Sequence, residues 1–162
     1  MWSTAAENAF QQLKVALTEA PVMAYPLPGI PFILDTDASN WAIGAVLSQA
    51  QQGEERVIAY FSKSLSKPER QYCVTRKELL AVVQAIKHFH HYIYGRPFIV
   101  LTDHSALRWL FNFREPEGQI ARWIQKLQEY TFSIQHCAGH KHNNADSRGD
   151  LVLRRCAAIV NG

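Results

Sequence analysis

The stretch that most constrains this chain runs from Phe32 to Ser48, within PFILDTDASNWAIGAVLSQ. Phe32-Ile33-Leu34 is a short apolar run, Thr36-Asp37-Ala38-Ser39-Asn40 is a turn cluster, and Trp41 to Leu47 is apolar again around Gly44. That order reads as strand, turn, strand, with a carboxylate where the first strand ends. An acid in such a place ordinarily faces solvent or caps a turn. Three further acids, Glu78, Asp103 and Asp146, also fall at the edges of expected elements. Four carboxylates held at strand and helix ends are what a pair of hard divalent cations needs.

The rest of the chain supplies the frame. Thr4-Ala5-Ala6-Glu7 fits a helix-capping box, with Phe10, Leu13 and Leu17 at helical spacing behind it. Pro21 stops that helix, and Pro26, Pro28 and Pro31 make an extended connector. Residues 1–31 are therefore expected as a lead-in that leans on the domain, residues 32–150 as the domain itself, and 151–162 as a tail. After the hairpin, Gln51 to Glu55 is a polar turn and Arg56 to Ser62 a third strand, completing an antiparallel meander.

Ser64 to Cys73 reads as a polar crossover. Leu79, Val82, Val83, Ile86, Phe89 and Ile93 then recur at helical spacing as one long helix, ending before Gly95-Arg96-Pro97. Phe98 to Leu101 is a compact strand closed by Thr102-Asp103-His104, expected to return parallel to the first. Leu107 to Phe111 and Ile120 to Leu127 mark two more helices, separated by a break at Pro116-Glu117-Gly118, and Phe132, Ile134 and His136 alternate as a fifth strand. These elements read as α/β, an antiparallel meander joined by a fourth strand parallel to the first, with a fifth strand besides.

Bulk properties set limits on function. A chain of 162 residues, 48% hydrophobic and 19% charged, is one globular domain with room for a real core. A net charge of +3 permits an anionic partner without demanding one. Cys73, Cys137 and Cys156 are odd in number and widely spaced, which points to a reducing, intracellular setting rather than a disulfide framework. No apolar run approaches the roughly 18 residues of a membrane span, so no membrane partner is expected.

Four blocks, in order, carry a family resemblance: TDASNWAIGAVLSQ, VIAYFSKSLSKPERQYCVTRKELLAVV, FHHYIYGRPFIVLTDHSALRWL and ARWIQKLQEYTFSIQHCAGHKHNNAD. Together they resemble the ribonuclease H domain of reverse transcriptases, above all the gypsy class of long-terminal-repeat retrotransposons, with retroviruses as relatives. FQQLKVALTEAPVMAYPLPGIPFIL resembles the segment that connects polymerase to ribonuclease H in those polyproteins. Met1, set directly before a helix, fits a fragment excised from such a polyprotein.

The resemblance implies a ribonuclease H fold, α/β with a mixed five-stranded sheet in order 3-2-1-4-5 and helices on both faces, and an endonuclease that cuts the RNA strand of RNA–DNA hybrids during reverse transcription, in a cytoplasmic virus-like particle. It implies two magnesium ions, with manganese as a substitute. Asp37 would bridge both, Glu78 and Asp103 would hold one, and Asp146 would help hold the other. The hybrid would be chosen by helix shape and 2′-hydroxyl contacts. Ser39, Arg108, Arg114, Arg122 and Lys126 are the candidate nucleic-acid contacts, and His136, His140 and His142 the candidate product-release histidines.

Several residues carry a second reading. Thr75-Arg76-Lys77-Glu78 is itself a capping box, which would claim the Glu78 carboxylate for the Thr75 amide. Asp35 would leave its strand on the same side as Asp37, as a strand-edge acid. Cys137, His140 and His142 have some zinc-ligand character but no clear fourth ligand. The family continues NADALSR at its last carboxylate, whereas this chain reads Asn144-Ala145-Asp146-Ser147-Arg148-Gly149-Asp150, two residues shorter. Gly149 weakens a helix there, so the alternative function is a weakened domain that binds hybrid or a partner without turnover. No separate basic helix lies between Trp109 and Trp123, so affinity for hybrid is expected to depend on a polymerase domain of the same polyprotein.

Overall fold

A computed structural model describes residues 3–18, 23–107 and 118–137. Its elements are α1 (Thr4–Thr18), β1 (Phe32–Ala38), β2 (Ala42–Gln51), β3 (Glu54–Ser64), α2 (Lys67–Arg70), α3 (Val74–His88), α4 (His90–Ile93), β4 (Phe98–Thr102), α5 (Gly118–Leu127) and β5 (Phe132–His136). The strands form one sheet in the order β3-β2-β1-β4-β5. β1–β2 and β2–β3 are antiparallel, while β1–β4 and β4–β5 are parallel. This is the expected mixed sheet.

Period-two alternation sorts β1 between two faces. Phe32 and Leu34 join the main core with Leu47, Leu80, Ile86, Phe89 and Val100, beneath α3. Ile33 joins Ile99 and Leu101 in a small cluster on the other face, and Asp35 and Asp37 follow on that side. The β2–β3 turn is a two-residue loop with Gln52 at φ 54 and Gly53 at φ 86, the left-handed pair that lets a hairpin keep its twist.

Local details correct the sequence reading in four places. Ser3, not Thr4, caps α1: its hydroxyl accepts from the Ala6 amide, and the Glu7 side chain instead accepts from Gln11. The crossover holds a helical turn, α2, closed by a true capping box between Ser66 and Glu69. The long helix breaks at Phe89, where α3 ends and α4 begins. At the start of α3 the N-cap is Cys73, so Thr75 lies inside the helix and the expected Thr75–Glu78 capping box does not form.

The connector is bound to the sheet. The Gln49 side chain accepts from the Leu27 amide and donates to the Leu27 and Ile30 carbonyls, Gln51 donates to the Tyr25 carbonyl, and Met23 bridges Val57 on β3. On α1, by contrast, Phe10 and Leu13 are exposed. Of the expected helix from Leu107 to Phe111 only Leu107, a core residue, lies among the described residues, and everything from 138 onward lies outside them. Among the described residues, no helix is long and apolar enough to cross a membrane.

Candidate functional site

Three of the four predicted acids meet at one end of the sheet. Asp37 is the penultimate residue of β1, Asp103 follows the last residue of β4, and Glu78 is on the second turn of α3, which packs against β1 and β2. Each offers a carboxylate oxygen, and these atoms lie within 4.8 Å of one another. The parallel β1–β4 pairing is what puts Asp37 beside Asp103. Asp146, His140, His142, Arg108 and Arg114 lie outside the described residues.

The three carboxylates have unequal surroundings. Asp37 and Asp103 are exposed, whereas Glu78 is 3% exposed. Burial, and then the charges of Asp103 and Asp37, push the Glu78 carboxyl up to about 7; a hydrogen bond from the Ala38 amide opposes them. Two buried side-chain atoms among the described residues have no hydrogen-bond partner. One is Arg76 Nε, whose guanidinium lies 4.0 Å from the Tyr72 ring and 5.8 Å from that of Trp123. The other is Oε2 of Glu78, whose carboxylate meets two like charges. A buried carboxylate with an unpartnered oxygen, beside two more carboxylates, fits a hard divalent cation.

Beside the acids opens a groove of about 830 Å³, lined among others by Asp35, Asp37, Asp103, Tyr60 and Cys137. Asp35 thus shares the side of Asp37 as expected, outside the converging three. His136 ends β5 opposite Thr102, next to Asp103 in sequence, and is half-buried. The Ser39 hydroxyl is engaged in its own turn, accepting from the Trp41 and Ala42 amides and donating to the Ala42 carbonyl. Arg122 and Lys126 are exposed on α5, while Trp123 is core.

Three residues to which the sequence assigned no part, Asn40, Lys77 and His104, also border the acids, together with Thr75, which was expected only as half of a capping box. Thr75 Oγ1 and His104 Nε2 are hydrogen-bonded at 2.8 Å, and the buried Lys77 donates to Asn40 Oδ1 at 3.0 Å. These are tertiary pairs; only the position of His104 directly after Asp103 hinted at them.

A mixed sheet in this order, with acids converging at strand ends under a long helix, defines the ribonuclease H type of fold. It aligns with a foamy-virus protease–reverse transcriptase solved with double-stranded DNA, at TM-score 0.66 and 17% identity, over 85% of this chain and 26% of that one. It also aligns with the LC11 ribonuclease H1 solved with an RNA/DNA hybrid, at TM-score 0.50 and 12% identity, over 73% and 91%. The family of RNase H-like domains found in reverse transcriptase matches residues 28–130, and the chain belongs to that family. Among its relatives is the retrovirus-related Pol polyprotein from transposon 297 of Drosophila melanogaster, 42% identical over 146 residues. The match covers 90% of this chain and 13% of that polyprotein.

Proposed function

We propose that this chain cleaves the RNA strand of RNA–DNA hybrids, as the nuclease domain of a reverse-transcribing Pol polyprotein. The observation that carries the reading is the trio of Asp37, Glu78 and Asp103 with its unpartnered buried oxygen. These residues would hold divalent ions, magnesium for preference and manganese as a substitute, with Asp146 completing the set. Ions bound there supply Lewis-acid stabilisation of phosphate charge and a more acidic water.

The protein's own part is positioning. β1 and β4 present two exposed carboxylates to the groove, and α3 presents a third from a dry environment. Glu78 must give up a proton that burial and its neighbours favour, so its ionisation and ion binding are coupled. Arg122 and Lys126 are available to phosphates on α5. The hybrid in the LC11 ribonuclease H1 structure supports the choice of substrate. A polymerase domain in the same polyprotein is the natural partner, since the transposon relatives are several times longer than this chain.

The test is cleavage of a labelled hybrid with magnesium or manganese, alongside Asp37→Asn. The RNA strand should be cut only with metal, and not by the variant. Folded protein that binds hybrid at saturation without cutting it would favour the weakened binding module instead.

A further inference from the structure

We infer that the first turns of α3 act as a clasp, in which Thr75–His104 and Lys77–Asn40 hydrogen bonds position the strand ends bearing Asp103 and Asp37 against Glu78. This rests on the functional reading above. The sheet fixes those ends only in part. The β1–β4 ladder stops at Asp35–Leu101, and the β4–β5 ladder at Thr102–His136, so Asp103 lies past the last paired residue of its strand. Asp37 is held on one side only, by Gly44 of β2. Three carboxylates within 4.8 Å repel, and strand ends free to move would splay.

The clasp opposes that from both sides. His104 follows Asp103; its amide donates to Thr102 Oγ1 at 3.2 Å and its ring reaches Thr75, one turn before Glu78 on α3. Asn40 lies in the turn after Asp37 and receives Lys77, the residue before Glu78. Lys77 is 6% exposed, and a buried ammonium needs a partner. The helix that carries the third acid therefore grips the segments that carry the other two. These four are positioning residues, acting through the acids.

The experiment uses the 162-residue chain and Thr75→Val, Thr75→Ser and Lys77→Met. Mn²⁺ affinity is measured by calorimetry, kcat and KM on hybrid by steady-state cleavage, and Tm without metal. Thr75→Val and Lys77→Met should each weaken Mn²⁺ binding about tenfold or more, the scale for losing an outer partner of a metal site. The same variants should lower kcat and leave KM for hybrid unchanged. Thr75→Ser, which keeps the hydroxyl, should restore both affinity and kcat. Wild-type Mn²⁺ affinity in Thr75→Val would overturn the clasp, as would a rise in KM alone, which would make Thr75 a substrate contact. If Lys77→Met fails to fold, Thr75→Val, which keeps the shape of threonine without its hydroxyl, and Thr75→Ser, which keeps the hydroxyl without the methyl, decide by themselves. A wild-type chain that binds no Mn²⁺ would overturn the functional reading and the clasp together, and so is distinct from failure of the clasp alone.

Discussion

The two ends of the sheet bury polar groups in opposite ways. At the far end from the acids, Gln49 is wholly buried, and both its amide oxygen and its amide nitrogen are partnered by Leu27, Ile30 and Gln51. At the near end Glu78 is almost as buried, yet one of its oxygens has no partner and its neighbours are two more acids. A satisfied buried amide fixes one backbone path to another; an unsatisfied buried carboxylate stores a preference for a ligand. Polarity and burial alone would not separate the two. The partner inventory does.

If that contrast is right, substitutions at the two ends should move function and stability in opposite senses. The largest effect is expected from Asp103→Asn, which removes a carboxylate charge from the trio. Metal-dependent hybrid cleavage should fall by more than about 100-fold, while Tm in the absence of metal should hold or rise as repulsion is relieved. A loss of Tm comparable with the loss of rate would erase the distinction.

Gln49→Leu should do the reverse. It leaves the Leu27 amide and the Leu27 and Ile30 carbonyls without their side-chain partner. The cost is about 3 kcal/mol, or a Tm lower by roughly 10 °C, with cleavage per folded molecule unchanged. Chemical denaturation and active-site-normalised rates would show it.

The third effect is a pH dependence. Glu78 titrates about 7 in the fold against an ordinary 4.5, so the metal-free protein favours its protonated form. The associated stability is complete below pH 4.5 and is lost as pH rises through 7. Thermal melts in a chelating buffer should show Tm falling across that window, and Glu78→Gln should flatten this component. Added Mn²⁺ should raise Tm most above pH 7, where the carboxylate is already ionised.

Smallest is the purely local case. Gly53→Ala forces a side chain into φ 86 at the far-end hairpin turn and should cost about 1 kcal/mol with no change in metal affinity. A change in Mn²⁺ binding would mean that the two ends are not independent.

The legible parts of the molecule were those set by local pattern. Alternation and turn residues marked the strands and the meander, the family resemblance supplied the full order, and the position of Asp37 and Asp103 after apolar runs placed them together once β4 was read as parallel to β1. What failed was also local in appearance but decided elsewhere. Thr75 and Glu78 have capping-box spacing, yet Cys73 starts the helix, Thr75 turns to His104, and Glu78 receives the Ala38 amide. Gln51 reads as part of a polar turn and Gln49 carries no signal of its own, whereas a connector folded over them makes both interior. α2 is four residues long, too short for periodicity to register. Apart from α2, these misses came from partners distant in the chain.

The same dispersal has a consequence in time. Asp37, Glu78 and Asp103 come from three elements that are joined through the meander and the α3 crossover. No fragment of the chain that lacks one of these elements holds the full trio, and closure of the parallel β1–β4 pair is a slow, long-range event. If the trio closes after that event, a divalent ion bound by it would meet its site only beyond the folding barrier. Its stabilisation would then appear as slower unfolding, with the rate of folding untouched.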